Sequence, residues 1–230
     1  MNRVERGIYI QSLDGTMGES AKTGVAGGRA EPAAKPEKYQ RILDAAISVI
    51  AQKGFFQARV SEIADRAGVA DGTIYLYFRS KEQILMAAID SAFDAFLERA
   101  RHEARDTALP AAQRLRRLCQ LHLEHLGANR NLALMFQTEL RQSTRFLAQF
   151  SRTRLVEYFE LIRSVIRDGQ RAGDFRAGIP EKIAANCFFG AVDEMVTSWM
   201  LSEHDYPLAG ATDAVMDVIL KGMEQGKTAG

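Results

Sequence analysis

From Glu37 onward, apolar residues recur three and four positions apart along nearly the whole chain. Nowhere do they fall into the period of two that a half-buried strand requires. Ile42, Ala46, Val49 and Ile50 form the first stripe, closed by Lys53 and Gly54, a cationic last turn followed by a glycine stop. The pattern then predicts a short helix over 61–67, a turn at Gly68 and a second short helix ending at Phe78. Ser80 can cap a long helix whose stripe is Ile84, Leu85, Ala88, Ala92, Phe93, Phe96 and Leu97.

Pro110 opens the next helix, where a missing N–H costs nothing. Leu115, Leu118, Cys119, His122, His125 and Leu126 lie on its inward face, and Gly127 ends it. A short helix is expected over 132–141. A long one starts at Ser143 or Thr144 and carries Phe146, Phe150, Tyr158, Phe159, Ile162, Val165 and Ile166 to about Gly173. Pro180 opens another running to about Leu201, and the last spans about 212–225. The expected fold is all-α, with about nine helices and no internal repeat.

The totals sharpen this picture in a few places. With 47% hydrophobic residues, the 230-residue chain can bury a sizeable core. Its net charge of +1 means that any basic surface must be local. No run approaches the roughly 18 apolar residues of a membrane span, and the N-terminus lacks the apolar stretch of a secretory signal. Residues 1–35, rich in small residues, are expected to form a disordered tail, either a solvated arm or an arm that reaches into a DNA groove. Cys119 and Cys187 both sit in apolar helical surroundings, which points to reduced, buried thiols and a cytoplasmic location. No Gly-x-Ser-x-Gly elbow or dinucleotide glycine fingerprint is present, and Gly226-Lys227-Thr228 lacks the first glycine of a phosphate-binding loop because position 221 is Lys221. An enzyme is not expected.

The segment AGVADGTIYLYFRSKE (Ala67 to Glu82) carries the most specific chemistry. Ile63, Ala64 and Ala67 face inward from the first short helix, Ile74 and Phe78 from the second, and Val69 plugs the corner. Ala64 is small where the helices cross and Gly68 supplies the sharp turn, which is the logic of a helix-turn-helix whose second helix enters a DNA major groove. Thr73, Tyr75 and Tyr77 are then left on the outward face, where hydroxyls can meet base edges or phosphates, and Gly72 lets the backbone come close. Lys81 adds a charge for the DNA backbone. The competing reading packs both tyrosines inside the small domain. Residues 37–82 carry seven basic against six acidic groups, so useful affinity needs two such domains acting together.

GVADGTIYLYFRSKE resembles the DNA-binding signature of the TetR family of bacterial transcriptional repressors. The resemblance implies a three-helix DNA-binding domain at 36–82 and a helical ligand-binding and dimerisation domain at 83–230. Ser61, Gly72, Thr73, Tyr75, Tyr77 and Lys81 would contact a palindromic double-stranded operator. Asp71 departs from the family's common lysine; it either points away from phosphate or reads a cytosine amine. TELRQSTRF (138–146) and DEMVTSWM (193–200) resemble the acyl-CoA-responsive regulators of fatty-acid degradation. They imply release from DNA by a long-chain acyl-CoA, with another hydrophobic molecule, such as a drug or a lipid-like signal, as the alternative effector.

An acyl chain needs an apolar tunnel, which Leu118, Leu121, Leu126, Met135, Phe136, Phe150, Phe188, Phe189 and Trp199 are available to line. The anionic head needs cations at its mouth; Arg130, Arg141, Arg145, Arg152 and Arg154 cluster in the sequence there, and Arg141 and Arg145 could share a phosphate. The same stripe also reads as plain core. His122 and His125 lack a third partner at metal-ligand spacing, so they are expected as pocket or core histidines, with no metal and no resident cofactor. Glu194 either orients a polar part of the ligand or is a satisfied buried carboxylate. The helices at 180–201 and 212–225 carry small residues, Ala184, Ala191, Ala214 and Gly222, and are expected to pair with those of a second copy as a homodimer.

Overall fold

The computed structural model describes residues 37–140, 154–204 and 206–223, which fold into nine α-helices with no strand among them. They are α1 (Glu37–Lys53), α2 (Val60–Ala67), α3 (Asp71–Tyr77), α4 (Lys81–Arg105), α5 (Ala111–Gly127), α6 (Arg130–Met135), α7 (Val156–Ala172), α8 (Glu181–Leu201) and α9 (Thr212–Met223). The expected tail, together with Arg141, Arg145, Phe146, Phe150 and Arg152 and the roles expected of them, lies outside the described residues.

The local signals hold where they were strongest. The Ser80 hydroxyl accepts from the Gln83 amide at 3.3 Å, capping α4. Gly68 takes a left-handed conformation (φ 66°) that ends α2, and the Val69 amide returns to the Ala64 carbonyl at 3.0 Å. That turn swings α3 across α2 over the fully buried Ala64. At seven residues α3 is far too short to stand alone. It is held by Ile74 and Phe78, both buried, each contributing about 1.5–3 kcal/mol. Tyr39 of α1 stacks on Phe78, with ring centroids 5.2 Å apart.

Packing departs from the sequence pattern at α1. Beyond the predicted stripe, Leu43, Ala45, Ile47 and Ser48 are also buried, because α6 covers the side that α2 and α4 leave open. The Asn131 amide donates to the Ser48 hydroxyl at 3.4 Å across this contact. The short helix expected over 132–141 begins at Arg130, capped by the Asn129 side chain, and after Met135 widens into a π-helical turn, Phe136–Leu140. Cys119 is buried as expected, but Cys187 is exposed, since it stands beside and not within the inward stripe of α8 that carries Ala185, Phe188 and Val192. Ala184 likewise faces the core rather than outward.

At the far end of α4, Arg114 of α5 reaches the last turn. Its buried guanidinium donates through one Nη1 both to the Ala104 carbonyl (2.9 Å) and to Asp168 of α7 (3.0 Å). Three helices are thereby tied at one point, and a carbonyl that α4 cannot satisfy internally gains a donor.

Candidate functional site

Two places gather the predicted site residues: the outward face of α3, and an aromatic cluster where α4, α5, α7 and α8 meet. On α3 the side chains separate cleanly. Ile74 is fully buried, while Tyr75 is 60% exposed, Leu76 82% and Tyr77 38%. Thr73 is half-buried and Gly72 exposed. The tyrosines therefore do not pack wholly inside the domain, although Tyr77 rests its ring edge on Tyr39, with centroids 5.8 Å apart. That contact fixes the ring and leaves the phenol at the surface. A side chain at Gly72 would meet nothing within 4 Å, so the fold itself does not require a glycine there.

Ser61 sits in the first turn of α2, half-buried. Asp71 is exposed but lies about 140° around the helix from Leu76, away from the outward line. Lys81 is half-buried. Its ammonium donates to the Ala58 carbonyl (2.8 Å) and the Phe56 carbonyl (3.2 Å) and lies 4.6 Å from the centre of the Phe55 ring. The charge bolts the first turn of α4 to the α1–α2 turn. A long side chain finds backbone carbonyls within reach, a destination that sequence spacing cannot reveal.

In the second place Tyr158 is the centre. It is fully buried, with its ring 4.9 Å from Phe96, 5.8 Å from His122, 6.3 Å from Phe189 and 6.5 Å from Phe93. Phe136 meets Phe93 at 5.8 Å, Phe159 meets Phe189 at 4.9 Å, and His125 meets Phe96 at 5.3 Å. Among the described residues the Tyr158 hydroxyl has no hydrogen-bond partner, and burial pushes its pKa well above the ordinary phenol range. Burial pulls His125 below the usual histidine value, with Arg99 adding to the effect.

The structure brings His122, Phe136 and Phe189 into this cluster. Leu118, Leu121, Leu126, Met135 and Phe188 are buried in the same helical core. Trp199 is elsewhere: its indole N–H donates to the Tyr206 carbonyl (2.9 Å), and the Arg130 guanidinium lies over its ring while donating to the Met200 carbonyl (2.6 Å). Arg130 and Trp199 thus clamp the end of α8. Arg154 is committed to Asp94 (2.7 Å) and Asp90 (3.8 Å) on α4.

Glu194 stands on the exposed face of α8. The inward carboxylate is its neighbour Asp193, about 100° around the helix. Asp193 is buried, accepts from the Gln137 amide at 3.0 Å and lies 3.9 Å from His122 Nε2. The sequence pattern assigns no site role to Asp193, the first residue of the 193–200 segment, or to Gln137, and it places Phe93, Phe96 and Tyr158 only as core. The stripe containing Phe188 and Val192 was the signal that could have singled out Asp193.

The model of bacterial regulatory proteins of the tetR family matches residues 42–88, and that of the YsiA-like protein C-terminal region matches residues 89–222. The chain is 36% identical to the fatty acid metabolism regulator protein of Bacillus subtilis, over 82% of this chain and 97% of that one. The crystal structure of the regulator FadR from Bacillus subtilis in complex with stearoyl-CoA superposes with a TM-score of 0.74 at 35% identity, covering 80% of this chain and 98% of the other. That of the fatty acid degradation regulator FadR from Bacillus halodurans gives 0.74 at 36%, with the same coverage. These relatives are transcriptional regulators and not enzymes. Matched by family models through both its N-terminal helix-turn-helix and its C-terminal helices, this chain belongs to the TetR family of bacterial transcriptional regulators.

Proposed function

We propose that this chain is a homodimeric, cytoplasmic repressor that binds a palindromic operator through α3 and is released by a long-chain acyl-CoA. The observation that carries the DNA-binding half is the division of α3: Ile74 is sealed into the core while Gly72, Thr73, Tyr75 and Tyr77 stand on the faces left open. Hydroxyls held on a short, rigid helix can position against phosphates and base edges. The effector half is supported by the similarity, over 80% of this chain, to a regulator whose structure is in complex with stearoyl-CoA. No helix among the described residues is long and apolar enough to cross a membrane.

Dimerisation is supported by the unpartnered faces of α8 and α9. Ile183, Cys187, Gly190, Glu194 and Leu201 line one side of α8, and Ala214, Val218 and Gly222 line α9; all are exposed. Ile183, Leu201 and Val218 are large apolar groups left more than half exposed in the single chain. Small residues between them let two copies approach closely enough for a four-helix bundle. Glu194 belongs to this face, which accounts for its outward direction.

Two contacts connect effector and operator. α4 carries Phe93 and Phe96 into the aromatic cluster and is fixed at its start to the reading domain by Lys81. α6 carries Met135 against the core and also packs on α1. An effector that moves either helix changes the separation of the two α3 helices, which must match one DNA turn of about 34–36 Å. A coupling of about 1–3 kcal/mol would change occupancy five- to 150-fold.

The test is fluorescence anisotropy of a labelled operator duplex bound by the full chain and titrated with acyl-CoAs of several lengths, with free fatty acids and with CoA. Release by long acyl-CoAs alone is expected. Release only by an unrelated hydrophobe would remove the acyl-CoA assignment while leaving the repressor intact.

A further inference from the structure

The DNA-binding reading names the hydroxyl-bearing residues of α3 but leaves its most outward side chain without a task. Counting about 100° per residue, Leu76 points about 200° away from the buried Ile74. Gly72 and Thr73 lie within about 60° of the same direction, and Tyr75 and Tyr77 flank it at about 100° on either side. Leu76 is 82% exposed, the most exposed side chain of this face for which a large apolar group is at stake. A helix laid in a major groove with this outward line toward the floor directs its two flanking tyrosines toward the phosphate walls. The centre of the reading face is then an apolar branched side chain, one turn from a glycine that the fold does not need.

We propose that Leu76 is a specificity-determining residue that reads the C5-methyl of a thymine in each operator half-site. Leu76 cannot hydrogen-bond, so over any acceptor or amine of the groove floor it would strip water and return nothing. The thymine methyl is the one feature of the major groove that an apolar side chain satisfies. Gly72 allows the backbone close enough for a side chain of leucine length to reach it. This inference rests on the DNA-binding reading above.

The experiment uses the full chain and an operator selected from a random-sequence duplex library. Each dT of that operator is replaced in turn by deoxyuridine, which removes only the methyl group, and affinity is measured at one fixed salt concentration. One dT per half-site is expected to be sensitive, with about fourfold weaker binding for one replacement and about sixteenfold for both, the worth of one buried methyl each. Leu76→Ala, at a position the core does not use, is expected to bind the dT and deoxyuridine operators equally at that position. Specific binding indifferent to every dT→dU replacement, or a Leu76→Ala protein that keeps the full deoxyuridine penalty, would overturn this role for Leu76 alone. A library from which nothing is enriched would overturn the DNA-binding reading and this inference with it.

Discussion

The buried pair at the far end of α4 yields a prediction whose sign pattern is unusual. Arg114 is the buried partner, its side chain 6% exposed, whereas Asp168 is 39% exposed. Asp168→Ala leaves a guanidinium sealed among helices with only the Ala104 carbonyl opposite one N–H. An uncompensated buried charge costs about 3–5 kcal/mol, and partial access of water to this pair favours the lower figure, about 3 kcal/mol. Arg114→Met removes the charge itself. It gives up a charge-assisted hydrogen bond to Asp168, which water can replace, and the donor to Ala104, and it retains much of the apolar stem, for a net loss of about 1–2 kcal/mol. The double variant should therefore be more stable than Asp168→Ala alone by about 1–2 kcal/mol, because the second change removes the charge that the first stranded. Urea unfolding followed by far-UV circular dichroism, at one protomer concentration for all four proteins, measures this directly. A double variant no more stable than Asp168→Ala would mean that the guanidinium is solvated in solution and that the electrostatic account of this junction is wrong. In the repressor, Arg114→Met should also reduce the factor by which effector weakens operator binding, since the end of α4 would no longer be held.

Three further outcomes are expected. Tyr77→Phe keeps the ring contact with Tyr39 and loses one hydroxyl, so operator affinity should fall about two- to tenfold per half-site with effector affinity unchanged; operator affinity equal to that of the parent protein would show that the ring and not the phenol hydroxyl matters. Burial lowers the His125 pKa in the folded state, so the unfolded chain takes up a proton more readily, and stability present above about pH 6.5 should be lost as pH falls below it. His125→Phe, which preserves the contact with Phe96, should flatten that acid limb in urea midpoints measured between about pH 7.5 and 5.5. Finally, the Cys119 thiol, pushed up to about 12 by burial, should stay silent to a disulfide reagent at pH 8 until the protein unfolds, whereas Cys187 should react in dilute protein and become protected as the dimer forms through α8. Rapid reaction of both thiols in the folded protein would contradict the burial of Cys119.

The helices were legible because their signals are local. Ser80, Gly68, Gly173, Pro110 and Pro180 act through backbone geometry within one turn, and the apolar stripes between them mark the faces that must leave water. The outward face of α3 was legible for the same reason, since large side chains at every position from Ile74 to Phe78 cannot all face inward from one short helix and its cap. What failed were statements about destinations. A stripe reports that a face is apolar but not how many neighbours will cover it, so α1 looked half-buried until α6 closed its other side. Lys81 reaches carbonyls 23 and 25 residues back in the chain. Asp193 and Glu194 differ by one step of the helix, and only the packing of α8 on its neighbours decides which of them enters the protein.

Those same nonlocal contacts determine how far a small motion can travel. α4 is 25 residues long, about 37 Å, and is held near its end through the Ala104 carbonyl. Phe93 and Phe96 lie about 16 Å and 12 Å from that point along the helix axis, and Lys81 lies about 35 Å from it. If Arg114 acts as the pivot, a rigid α4 displaced by 1 Å at the aromatic cluster, as an order-of-magnitude case, moves about 2–3 Å at Lys81. Because the Lys81 ammonium is bonded into the α1–α2 turn, the reading domain must follow rather than slide past. In a two-fold dimer the change is made twice, so the separation of the two α3 helices alters by about 4–6 Å, more than a rigid helix can absorb and still meet the same base edges one turn apart. Under the proposed function, a lever held at one end and bolted at the other would turn ångström-scale repacking around Tyr158 into loss of register on DNA.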